Sequence, residues 1–125
     1  MYNPGLGAII QRVFFSLLFV AAGIMHIMNW EGTVQSTASV FGTQFAFLIS
    51  VGAVAFILGG GVLLLVGFMS RSAGGLLVLF LIAGGYAHWV WAGMAPDDML
   101  REAQLAHLMK NFALLGVACR YAFGD

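Results

Sequence analysis

FILGGGVLLLVGFMSRSAGGLLVLFLIA, residues Phe56–Ala83, decides the fold. Two apolar runs meet at MSRS, Met69–Ser72, where Arg71 is the single charge. The runs continue upstream to about Gln44 and downstream to about Ala95. A segment of about 20 apolar residues crosses a hydrocarbon core as a helix, whereas an unpaired strand would leave its backbone groups unsatisfied there. The stretch therefore reads as two membrane-spanning helices, Gln44–Phe68 and Ala73–Ala95, joined by a tight turn.

The same reading extends outward. VFFSLLFVAAGIM lies at the heart of a first span, Leu6–Met28, with Arg12 near its start, and a fourth span covers Ala103–Phe123. A charge followed by VFFSLLFVAAG also resembles a secretory signal; the expectation is a retained first helix. The connection Asn29–Thr43 (NWEGTVQSTASVFGT) is too short and polar to hide a fifth span. APDDMLRE at Ala95–Glu102 breaks the chain at Pro96, and either Asp97 or Asp98 caps the next helix. The expected architecture is all-α: an integral membrane four-helix bundle, one domain over residues 1–125.

Composition agrees. The 125 residues are 62% hydrophobic and 8% charged, with five basic and five acidic side chains. A soluble domain carries about 25% charged residues, so this balance excludes a soluble fold and disorder, and with them a nucleic-acid partner. The bilayer is the expected surrounding. The one Cys, Cys119, rules out an internal disulfide or a CxxC pair and reads as a small buried hydrophobe.

The few charges suggest an orientation. Arg12, Arg71 and Arg120 fall at the N-terminal end, the second connection and the C-terminal end. Glu31, Asp97, Asp98 and Glu102 fall in the first and third connections against Arg101 alone. By the positive-inside rule both termini are cytoplasmic, and Trp30, Trp89 and Trp91 sit at the outer boundary. Glycine occurs 17 times, with Gly59–Gly61, Gly67, Gly74, Gly75, Gly84 and Gly85 in the two middle spans. Small residues let helices approach closely, either within the bundle or at a partner surface, and packing within the bundle is the simpler reading.

The fourth span holds the polar chemistry. QLAHLMKNFALLG places His107, Lys110, Asn111 and Leu114 at i, i+3, i+4 and i+7, one helix face. A Lys at mid-span costs up to about 3 kcal/mol, so this face is expected to point into the bundle. Orientation brings His26 and His88 to the same outer third of the membrane. Lys110 has a simpler reading, in which its ammonium snorkels to Asp98 or Glu102 with no ligand. His26 and His88 read equally as hydrogen-bonding groups between helices. Three His could in principle hold a metal or haem, but no HxxxH or HExxH spacing supports either, and neither is expected. Gly59–Gly61 lacks the context of a phosphate loop, and no Ser/His/Asp set or pair of intramembrane carboxylates appears.

RVFFSLLFVAAGIMHIMNW, the Phe56–Ala83 stretch and HLMKNFALLG together resemble the DoxX family of small four-helix proteins of bacterial inner membranes. The resemblance covers about Arg12–Gly116. HLMKNFALLG is similar to the family's Lys-Asn-Leu-Ala-Leu-Leu-Gly-like signature, so Lys110 and Asn111 correspond to its Lys-Asn pair. Gly59 and Gly60 correspond to the family's paired Gly, but Phe56 stands where an acidic residue often precedes them. The resemblance implies a multi-pass inner-membrane protein related to the membrane subunit of a thiosulfate:quinone oxidoreductase. Two roles follow. The first is a non-catalytic accessory subunit of a larger redox or energy-converting complex, packed against other membrane subunits or itself. The alternative is a quinone-binding subunit using His107, Lys110, Asn111, His26 and His88. A small transporter or lipid-binding module comes third, with neither broken helices nor an internal repeat to support transport.

Overall fold

A computed structural model describes residues 5–124. The described residues form five α-helices: α1 Leu6–Met28, α2 Trp30–Phe41, α3 Ala46–Val66, α4 Ser70–Met94 and α5 Asp98–Phe123. Three of them, α1, α3 and α4, are long and apolar enough to cross a membrane. With 26 residues α5 is about 39 Å long, which is sufficient length. It falls outside that set because Asp98, Arg101, Glu102, Lys110 and Arg120 lower its hydropathy.

The connection expected between the first two spans is not a loop. Residues 30–41 form α2, which at 12 residues is about 18 Å long and too short to span the core. Asn29 alone separates it from α1, and Gly42, at φ 91°, ends it.

The turn at the centre of the deciding stretch is tighter than MSRS suggested. Gly67 sits in the left-handed region at φ 77°, its N–H bonding to the Leu64 carbonyl while Phe68 N–H bonds to Leu63. Met69, at φ 53°, completes the reversal and α4 begins at Ser70. At the third connection Asp97 is the N-cap, accepting a bond from Leu100 N–H at 2.8 Å, as a short carboxylate before a helix should.

Helix order in space follows the contacts: α5 packs on α4, the most extensive of the pairings, α4 also packs on α3, and α3 on α1. Glycine makes two of these crossings close. A Cβ at Gly60 would stand 3.0 Å from the Ala73 carbonyl oxygen of α4, and one at Gly74 only 2.6 Å from the Ala122 nitrogen of α5. Both use the small-residue logic of apolar surroundings, where backbones approach because water cannot drive association. The core is Phe15, Phe19, Ile57, Leu64, Ala73, Leu77, Leu81 and Ala118. Phe14, Leu48 and Phe112 are by contrast 64–69% exposed, as lipid-facing side chains are. The first and last helices meet at one end, where Tyr121 donates to Gln11 at 2.7 Å and stacks on Phe15. α2 lies at the other end, against α3, α1 and α4.

Candidate functional site

Beneath α2 is a cavity of about 380 Å³ between α1, α3 and α4. Its lower walls are apolar: Val54, Phe80, Ala83 and Ala87. Its rim is polar: His26, Thr33, Ser36, Thr37, His88 and Trp91. Most of the rim already has partners. The Thr33 hydroxyl lies 2.9 Å from the His26 carbonyl, 3.0 Å from the Asn29 carbonyl and 3.4 Å from His26 Nδ1, which pins the α1–α2 corner. One turn on, Thr37 donates to the Thr33 carbonyl and accepts from Ser50 of α3 at 2.9 Å. Trp91 of α4 donates its indole N–H to Ser39 of α2 at 2.8 Å.

Each sequence-predicted site residue has a definite place. His88 Nδ1 meets Gln104 Oε1 of α5 at 2.7 Å, and its ring stacks on His107 with centroids 5.0 Å apart. Trp91 stands edge-on to the same imidazole at 5.3 Å. His26 and His88 line one cavity, whereas His107 lies outside it, on an exposed part of α5. Lys110 is exposed too. Asn111 is only 8% exposed, with its amide nitrogen against Gly84, where a Cβ would come within 3.2 Å. It lines a second, apolar groove of about 450 Å³ between α4 and α5, beside Tyr86, Trp89 and Phe112.

The expected inward face of α5 is therefore divided. Adjacent helical residues point about 100° apart, so one of Lys110 and Asn111 can face α4 while the other faces away. The small Gly84 admits Asn111, and Lys110 is left outside. The five residues form no single site: two line the cavity, one extends its stack, one floors a groove and one stands exposed.

Sequence reasoning missed Thr33, Thr37, Ser39 and Ser50, which hold α2 over the cavity. Their signal was the Thr33/Thr37 spacing of one helical turn within a polar segment. Chemically, the cavity offers two imidazoles above apolar walls and no carboxylate. That suits an uncharged ring with polar ends better than a cation or a hydrolytic centre. Among the described residues no cluster of three His, Cys, Asp or Glu side chains is placed to hold a metal ion.

No curated protein and no solved structure matches the chain at a significant level. The DoxX family model does, over residues 7–89. That match takes in α1, α2, α3 and most of α4, including His26, His88 and the paired Gly59 and Gly60. HLMKNFALLG in α5 lies beyond it. A match over this share of its length places the chain in the DoxX family.

Proposed function

We propose that this DoxX-family membrane protein is a non-catalytic accessory subunit of a larger membrane redox or energy-converting complex. In this reading α5 is a fourth span, residues 1–125 are one domain, both termini are cytoplasmic and the membrane is the bacterial inner membrane. The observation that carries it is the exposure of Lys110 and His107 on α5. Lys110 stands 12 residues after Asp98 and 13 before Phe123, about 18–20 Å from either end of the helix. A cation exposed to lipid at that depth is costly, and a neighbouring subunit offering an acceptor removes the cost. The acidic residues of this chain are Glu31, Asp97, Asp98, Glu102 and Asp125, all near helix ends or beyond them. A second parallel copy therefore brings no carboxylate to Lys110, and a different subunit fits better.

The test is purification from native membranes in a mild detergent, for the wild type and for Lys110→Glu. Stoichiometric membrane partners with the wild type, lost on charge reversal, are expected. A bare, monodisperse wild-type particle overturns the reading.

One observation favours a second reading, a quinone-binding subunit of an oxidoreductase. The cavity sets His26 and His88 above apolar walls, with Trp91 alongside, which suits a planar head with two carbonyls. Here the site is His26 and His88, and Lys110 is outside it. Unchanged quinone occupancy in both His26→Ala and His88→Ala would remove this reading.

A further inference from the structure

The groove between α4 and α5 holds a buried polar group with nothing to bond. Asn111 is only 8% exposed, and neither its amide nitrogen nor its carbonyl oxygen has a hydrogen-bond partner among the described residues. The nitrogen rests against Gly84, and the part of the side chain still open lies on the groove floor. The groove shares no lining residue with the cavity beneath α2. Its walls are aliphatic and aromatic, and Ile82, Tyr86, Trp89 and Phe112 stand 55–64% exposed around the floor. Gly85 keeps the α4 side low: a Cβ there would come 3.5 Å from Leu108 of α5. At about 450 Å³ the space is in the range of small-molecule sites.

Any acyl chain of the bilayer satisfies walls of this kind. None satisfies the amide, because a hydrocarbon neither donates nor accepts, and a polar group closed off without a partner is costly. No charged side chain lines the groove, so nothing there holds an ionic headgroup. The missing partner is therefore uncharged. It is also slender, since side chains this prominent keep a neighbouring helix off the floor. An amide both donates and accepts: an ether or carbonyl oxygen answers the N–H alone, whereas a hydroxyl answers both groups from one atom.

We propose that the α4–α5 groove binds a lipid alcohol, an uncharged molecule whose hydroxyl bonds to the Asn111 amide and whose hydrocarbon chain lies between Tyr86, Trp89 and Phe112. The site is independent of any partner that meets Lys110 and of any ligand beneath α2.

Trp89 in the wall is the reporter. Its fluorescence is quenched by brominated probes added to delipidated full-length protein in detergent. Three probes of one chain length are used: octadecanol, its methyl ether and octadecane. The wild type is expected to bind the alcohol about tenfold more tightly than the hydrocarbon, with the ether between them. Asn111→Leu should bind all three like octadecane. Gly85→Leu fills the groove without touching the amide and should weaken all three; it serves also if Asn111→Leu does not fold. Trp89→Phe should abolish the quenching, which places the probe here and not beside Trp91 in the cavity. Equal affinity for the three probes, or affinity for none, overturns the proposal. So does an alcohol preference that survives Asn111→Leu, or alcohol binding that Gly85→Leu leaves unchanged. A wild-type dimer, or a complex with another chain, that Asn111→Leu dissolves in light scattering also overturns it, by giving the amide to a protein neighbour.

Discussion

His88 and His107 stack with ring centroids 5.0 Å apart and planes inclined by 21°, joining α4 to α5 at the edge of the cavity. Gln104 holds the same His88 from one turn earlier on α5. Two contacts from one helix thus fix a single imidazole. His107→Ala should cost about 0.5–1.5 kcal/mol for the ring pair. Gln104→Ala should cost about 1–3 kcal/mol, because it leaves a half-buried ring nitrogen unpaired. Both act through His88, so the double variant should lose less than the two costs added. Unfolding in detergent of the two single variants and the double variant checks this; strict additivity would show that His88 is not shared.

Trp91 bonds to Ser39 from across the cavity, and Ser50 bonds to Thr37. These side-chain hydrogen bonds tie α2 to α4 and α3. Trp91→Phe keeps the ring and removes one bond, worth about 0.5–1.5 kcal/mol. Amide exchange across residues 30–41 should therefore quicken about two- to tenfold, while that of α3 stays unchanged. Trp89→Phe is the control: Trp89 is 62% exposed, and exchange in α2 should not respond. If the two variants exchange alike, the Trp91–Ser39 bond does not hold α2 down.

The readability of the sequence followed the range of the forces involved. The reversal at Gly67–Ser70 was legible because it is local: one αL glycine, one charge and an apolar run on each side. Helix α2 was not legible, since NWEGTVQSTASVF carries hydroxyl residues that favour caps and turns when isolated. Here Thr33 and Thr37 return their hydroxyls to carbonyls one turn back, and Ser39 and Ser50 find partners across helices. Those partners lie 13 to 52 residues away along the chain. The rotation of α5 was out of reach for the same reason. Lys110 and Asn111 are neighbours, and a cleft shaped by Gly84 on another helix decides which one is buried. Of the five candidate residues, the sequence could place His26 and His88 at a common depth. It could not say that Lys110 stands exposed, or that His107 joins the His88 stack outside the cavity.

Gly74 and Gly75 make a paired experiment in packing. A Cβ at Gly74 would collide with the backbone of α5, at 2.6 Å from the Ala122 nitrogen, while one at Gly75 meets nothing within 4 Å. Gly74→Ala must push α4 and α5 apart and should cost about 1–3 kcal/mol. Gly75→Ala should be neutral or gain up to about 1 kcal/mol from the better helix former. Melting temperatures of the two variants in one detergent decide it. Equal values would mean that the α4–α5 crossing is looser than the structure has it.

Whether α5 crosses the bilayer can be read from the chain's single thiol. Cys119→Ser gives a cysteine-free background. Met99 and Phe123 are 76% and 75% exposed at opposite ends of α5, and Ser72 is exposed beside Arg71 at the start of α4. In the orientation proposed above, with the basic residues on the cytoplasmic side, position 72 is inside. Crossing α4 then puts position 99 outside, and crossing α5 returns position 123 to the inside. An impermeant maleimide applied to intact spheroplasts should therefore label Met99→Cys, and should reach Ser72→Cys and Phe123→Cys only after permeabilisation. Labelling of positions 99 and 123 together would leave α5 lying along the outer surface, with Lys110 in water. The cost of a cation in lipid would then vanish, and with it the argument for a partner on that face.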